Sequence, residues 1–149
     1  MAASQEITYL WKMIYDCFTA DVPLTTALGH TVANKHIGRV GQRKKLGDPC
    51  ITFGQQVMGN IADNDQPRIL TLREVYFLIS SFSINSDMTA ADNSELALQA
   101  IVGEVLSESN FKTNPIEWDN FSSAPYYDEN EQAYRVDVRI KIIIKYCSS

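Results

Sequence analysis

Histidine is nearly missing from this chain: His30 and His36 are the two in 149 residues. A serine or cysteine nucleophile needs an oriented base beside it, and the sequence has no G-x-S-x-G elbow to present one. The two histidines lie six apart, a spacing that fits neither a helical H-x-x-x-H pair nor a zinc-finger pair. No Cys or acidic residues cluster near them, so neither metal nor cofactor is expected. Cysteine is also scarce. Cys17, Cys50 and Cys147 are odd in number, far apart and without a C-x-x-C pair, which reads as free thiols in a reducing compartment. Cys50 after Pro49 reads as a small buried residue opening a strand, not as a nucleophile. No apolar run approaches the roughly 20 residues that span a bilayer, and the N-terminus lacks a signal-peptide pattern. A protein made in the cytosol, with no membrane partner, is the expectation.

Phosphate cradles are missing too. Gly38-Arg39-Val40-Gly41 and the following Gln42-Arg43-Lys44-Lys45 break the G-x-x-x-x-G-K-[ST] order, and no Ser or Thr follows the lysines. Asp16 with Asp21 flanks a helix end, and Asp128, Glu129 and Glu131 fill a turn; solvated structural roles suit both sets. An enzyme is therefore not expected.

What is there is one domain's worth of ordinary soluble composition, 45% hydrophobic and 21% charged, enough for a core without metals or disulfides. Thirteen basic residues against eighteen acidic ones give a net charge of −5, which argues against general affinity for nucleic acid.

Residues 134–146 alternate without a break. Tyr134, Val136, Val138, Ile140, Ile142, Ile144 and Tyr146 share one face; Arg135, Asp137, Arg139, Lys141, Ile143 and Lys145 share the other. A strand turns over at every residue, so the first face reads as core and the second as charged surface. Such a strand reaches roughly 43 Å, against a radius of gyration near 15 Å for a chain of this length. That reach suits a sheet leaning on a neighbouring subunit, with Arg135, Asp137, Arg139 and Lys141 as candidate interface residues or as plain solvated surface.

Elsewhere, Ser4 can cap a first helix with Ile7, Leu10, Trp11, Ile14 and Phe18 on one stripe, ended by Asp21 and Pro23. A short helical turn at 24–28 closes at Gly29. Residues 30–49 read as a loop or flexible hairpin with room for a short strand at 37–40. Strands are expected at 50–55 and, after the turn-like 60–66 and Pro67, at 68–84. A second helix capped at Asp92 or Asn93 carries Leu98, Ile101, Val102 and Val105, and a hairpin turns at 128–131 between Tyr127 and Tyr134. The order predicts an α+β domain over 1–149, an antiparallel sheet with two main helices on one face and a long C-terminal strand.

The basic segment 39–45 is the second feature above background, with Arg39, Arg43, Lys44 and Lys45 in seven residues of an acidic protein. It reads as a mobile arm for an acidic partner or passing DNA, or as solvated surface.

The order of parts resembles the tail terminator (tail completion) proteins of long-tailed bacteriophages. The residues carrying it are Ile37-Gly38-Arg39-Val40 in the loop, Asp48-Pro49-Cys50-Ile51-Thr52-Phe53-Gly54 after it, and the hairpin from Tyr126-Tyr127-Asp128 to Ala133-Tyr134-Arg135-Val136. The resemblance implies a homo-oligomer, a hexameric ring in the virion tail or neck, assembled in the host bacterial cytoplasm. Its implied partners are the tail tube protein and a neck or stopper protein, with double-stranded DNA passing the bore unbound. A head–tail stopper and a small cytosolic binding module are the alternatives.

Overall fold

A computed structural model describes residues 3–56 and 72–146, with backbone alone for 3–8 and 72. Gly59, the turn at 60–66, Pro67, the start of the strand run at 68–71 and Cys147 lie outside the described residues.

Helix α1 (Ala3–Ala20) buries Leu10, Ile14 and Phe18, one residue per turn along a single stripe. Ser4 lies within this helix rather than capping it. Asp21 ends α1 and starts α2 (Val22–Leu28), its Oδ1 accepting the Leu24 N–H at 2.9 Å. Gly29 closes α2 at φ 76°, a left-handed angle that glycine adopts without strain.

The segment 30–49 carries the short strand for which the sequence leaves room. It contains strand β1 (Ile37–Arg39) and a 3₁₀ turn at Arg43–Lys45. β1 runs parallel to β2 (Cys50–Gln56), so the otherwise antiparallel sheet is mixed at this edge. β2 pairs with β3 (Leu72–Ser83), and β3 pairs with β8 (Ala133–Tyr146) in unbroken register from Leu72↔Lys145 to Ser83↔Tyr134.

Helix α3 (Asp87–Ile101) starts earlier than the sequence predicts. Ser86, not Asp92 or Asn93, is its cap, accepting the Thr89 N–H at 3.1 Å. The buried stripe is also rotated, onto Ala90, Asn93, Ser94, Ala97 and Ile101, while Val102 and Val105 lie beyond the helix and exposed. Small side chains let the helix axis approach its neighbours closely, so this face carries little of the apolar periodicity that marks helices in sequence.

The far edge of β8 is lined in succession by β5 (Phe111–Thr113), β6 (Glu117–Ser122) and β7 (Tyr126–Asp128), all antiparallel to it. β4 (Ser107–Glu108) extends the sheet beyond β5. The chain breaks register between Trp118 and Ser122, where Asn120 takes a φ of 54°. Both edges of the long strand are thus paired within the subunit, and its length needs no neighbour to account for it.

The helices cover one face of the sheet, as expected for this α+β architecture. Val136, Val138, Ile140, Ile142 and Ile144 point into the core beside Val75, Phe77 and Ile79, with Phe53, Leu10, Ile14 and Phe18 in the same cluster. Burying each such side chain stabilises by about 1.5–3 kcal/mol. Trp11 ties helix to sheet: its Nε1–H donates to the Phe53 carbonyl at 2.9 Å, and its ring stacks on Phe53 at 4.7 Å. Among the described residues, no helix is long and apolar enough to cross a membrane.

Candidate functional site

On the face away from the helices, Arg135, Asp137 and Arg139 of β8 are half-buried and engaged by their own subunit. Arg135 spreads its guanidinium over three partners: Nε to Asp137 at 2.8 Å, Nη1 to Asp128 at 2.8 Å and Nη2 to Ser80 Oγ at 3.3 Å. The same group lies 5.2 Å from the centre of the Phe82 ring. Asp137 also accepts the Ser80 hydroxyl at 2.7 Å and the Tyr126 hydroxyl at 2.9 Å. Asp128 caps its own turn, accepting the N–H groups of Asn130 and Glu131.

The electrostatics follow from this network. Hydrogen bonding to Arg135 holds the Asp128 carboxyl below its usual range, against an opposing push from burial. Burial pulls the Arg135 guanidinium down, and its bonds to Asp137 and Asp128 more than offset that, leaving it raised. Burial of the hydroxyl, then its bond to Asp137, push Tyr126 up to about 12. These shifts favour an ionised Asp128 and a protonated Tyr126 near neutral pH, the forms in which each makes its hydrogen bonds in the network.

Arg139 repeats the pattern two strand repeats away on the same face. Its Nε donates to Asp119 at 2.6 Å, and the guanidinium stacks 5.1 Å from Phe121 and 5.9 Å from Tyr76. Asp119 and Phe121 come from the register break in β6, which brings them over the sheet face. Lys141 stands opposite Tyr76 and Glu117 in the ladder. The structure therefore brings Arg135 and Asp137 together and gives Arg139 a separate partner.

The basic segment wraps the β1 edge of the sheet. Arg39 is exposed and lies 4.2 Å over the Trp11 ring, on the helix side. Arg43 lies 5.8 Å from Phe82 on the opposite side, and Lys44 and Lys45 are exposed. An open groove of about 360 Å³ runs beside it between Arg43, Lys44, Asp48 and Glu131, a lining of mixed charge.

Both histidines are occupied in holding this segment. The Pro49 carbonyl can only accept, so His36 Nδ1 carries the proton and donates to it at 2.7 Å. His30 Nδ1 accepts the His36 backbone N–H at 2.9 Å, which requires that nitrogen to be unprotonated. Burial first, then Lys35 and His36, lower the His30 pKa in keeping with that role. Gly47 packs against His36 so closely that a Cβ would fall 2.4 Å from the ring. Cys50 is buried, and burial pushes its thiol up to about 12, which leaves it protonated and unreactive. Among the described residues, no three His, Cys, Asp or Glu side chains gather as a metal site.

Sequence patterning misses one feature. Trp118, Phe121, Tyr126 and Tyr127 are all exposed and all lie along β6 and β7, whose outer edge has no strand partner among the described residues. Aromatic spacing in an irregular stretch has no period to mark them; their acidic setting is the available signal.

No family model matches the sequence, and no curated protein matches it. The fold is similar to a chain of a solved structure titled "Virion of native gene transfer agent (GTA) particle", with a TM-score of 0.68 and 16% sequence identity. The likeness covers 89% of this chain and 91% of that one, so the fold as a whole is shared.

Proposed function

We propose that this protein is a structural component of a phage-like virion, forming a ring at the head-proximal end of a tail tube. The ring ends tube polymerisation and docks the neck. The observation that carries this reading is the near end-to-end likeness to a chain of a gene transfer agent virion. The sequence resemblance to tail terminator proteins points the same way, and supplies the hexameric ring and the tube and neck partners.

Physical chemistry supports the rest of the reading. The side chains richest in charge, Arg135, Asp137 and Arg139, are committed to bracing the sheet rather than to a reaction. A net charge of −5 suits a ring through which double-stranded DNA slides, because like charges repel phosphates. Arg135, Asp137, Arg139 and Lys141 then act in assembly by holding β6 and β7 in place, and Arg39, Arg43, Lys44 and Lys45 supply the partner contact.

The test is negative-stain microscopy of particles produced without this protein. Tubes of uncontrolled length and heads without tails are the expected products. Joined particles with tails of normal length overturn the reading.

A further inference from the structure

Charge is segregated along this chain in a way the net value hides. From Val22 to Gly47 there are five basic residues, Lys35, Arg39, Arg43, Lys44 and Lys45, and no acid. From Thr113 to Tyr134 there are five acids, Glu117, Asp119, Asp128, Glu129 and Glu131, and no base. The sheet order places β1 and the pair β6–β7 on opposite edges, and the turn at 128–132 reaches back to share a groove with Arg43 and Lys44. β1 is the outermost strand on one side, and β6 and β7 lie beyond β8 on the other, with β2, β3 and β8 between.

The acidic edge carries more than charge. Trp118, Phe121, Tyr126 and Tyr127 are 42%, 37%, 41% and 50% exposed, an aromatic density typical of interface cores rather than of free surface. Their ring faces attract cations, as Trp11 already does within the subunit by seating Arg39. Asp119 and Asp128 are held by Arg139 and Arg135, which fixes the edge rigidly and leaves Glu117 and Glu129 exposed at it. On the basic edge, Lys44 and Lys45 are likewise exposed and form no ion pair among the described residues.

We propose that copies of this chain join head-to-tail, the basic β1 edge of one subunit seated against the acidic aromatic β6–β7 edge of the next. The occupant of each edge is a second copy, because the chain itself carries both complementary charges, with β1 and β6–β7 at opposite edges of one sheet. A contact between two different patches propagates in one direction and closes into a ring when the rotation fits. This deepens the proposed ring function and relies on it for closure alone; the pairing of edges stands on the segregation of charge and on the strand order. Opposite charges set partner and register, while the aromatics supply the buried centre.

Sedimentation velocity of the full chain in about 0.15 M salt tests this. Wild type is expected to sediment as a multimer that dissociates as salt is raised. The exposed-residue variants K44E/K45E and E117K/E129K should each weaken association tenfold or more. An equimolar mixture of the two should recover it, since every interface in an alternating assembly then joins opposite charges. W118A/Y127A, which leaves the charges alone, should weaken association in every salt. Circular dichroism matching wild type identifies the folded variants, and the aromatic pair stands in if a charge variant unfolds. A wild type that stays monomeric at every concentration overturns the interface. So does a multimer indifferent to both charge swaps, or a mixture that fails to recover, and these two results leave a ring built through other surfaces intact. Failure of the virion reading itself is read separately, as normal particles formed without the protein.

Discussion

Arg135 and Asp128 meet across the β7–β8 hairpin at 2.8 Å, and the same guanidinium pairs with Asp137 and lies 5.2 Å from the centre of the Phe82 ring. Removing the guanidinium leaves Asp128 and Asp137 facing each other without a cation. Arg135→Ala is expected to lower stability by about 1.5–3 kcal/mol, the range for hydrogen bonds to charged groups. Arg135→Lys should recover only part of it, since an ammonium cannot bridge three partners in one plane. Urea unfolding of the three proteins measures both effects.

The same pair sets a pH dependence. Asp128 has a folded pKa below its unfolded one, so its contribution is complete above the unfolded value, near 4, and disappears as pH falls through the folded value. The wild type should lose stability below about pH 4, and Asp128→Asn should show a shallower loss there. Equal slopes in acid unfolding curves would mean that Asp128 titrates as a free carboxyl.

Ile140 and Ile142 are wholly buried under the helices. Truncating either to alanine should cost about 2–5 kcal/mol. A loss under about 1 kcal/mol in chemical denaturation would contradict the assignment of the even positions of β8 to the core.

His30 gives a second titration, at milder pH. Its folded pKa lies below the unfolded value of about 6.5, so the neutral ring favours the fold. That stability is complete above about 6.5 and is lost as pH falls toward the folded value. Protonation puts a proton on Nδ1, against the His36 N–H it now accepts. Exchange of the His36 amide hydrogen, corrected for intrinsic rate, should accelerate as pH falls from the unfolded value through the lower folded one. His30→Asn, which keeps an acceptor without a titration, should abolish the acceleration.

Gly47 and His36 form a coupled pair. A methyl group at 47 collides with the imidazole, so Gly47→Ala should destabilise by about 1–3 kcal/mol. In a His36→Ala background the added penalty should shrink to a few tenths, and a double-mutant cycle reads the difference. Additive effects would show that the ring yields without cost.

Much of this architecture was legible in residue order. The alternation of 134–146 marked β8 because one face meets helices and the other does not. The start of α3 was not legible, since Ala90, Ser94 and Ala97 bury a face that carries no apolar period. The irregular stretch before β7 hid β6 for a related reason: the register break at 118–122 destroys period two. The charged face of β8 was legible as charge but not as a network. The carboxylates that hold Arg135 and Arg139 come partly from Asp128 and Asp119, seven and twenty residues away, on strands whose pairing only the fold reveals. The sign of the basic segment is plain in the sequence, whereas its seat on Trp11 and Phe82 depends on how α1 and β3 bracket the sheet edge.

The placement of β8 has a consequence for how the chain acquires its shape. β3, β5, β6 and β7 all hydrogen-bond to this one strand, which follows them all in the chain order of the described residues. Until it is synthesised, each of those four has an unsatisfied edge, and β3 must wait through some fifty intervening residues for its partner. Contacts of such long sequence separation are slow to form. A nascent chain of this protein is therefore vulnerable to mispairing until its final strand emerges, and insertion of that strand completes the sheet on both sides in a single step.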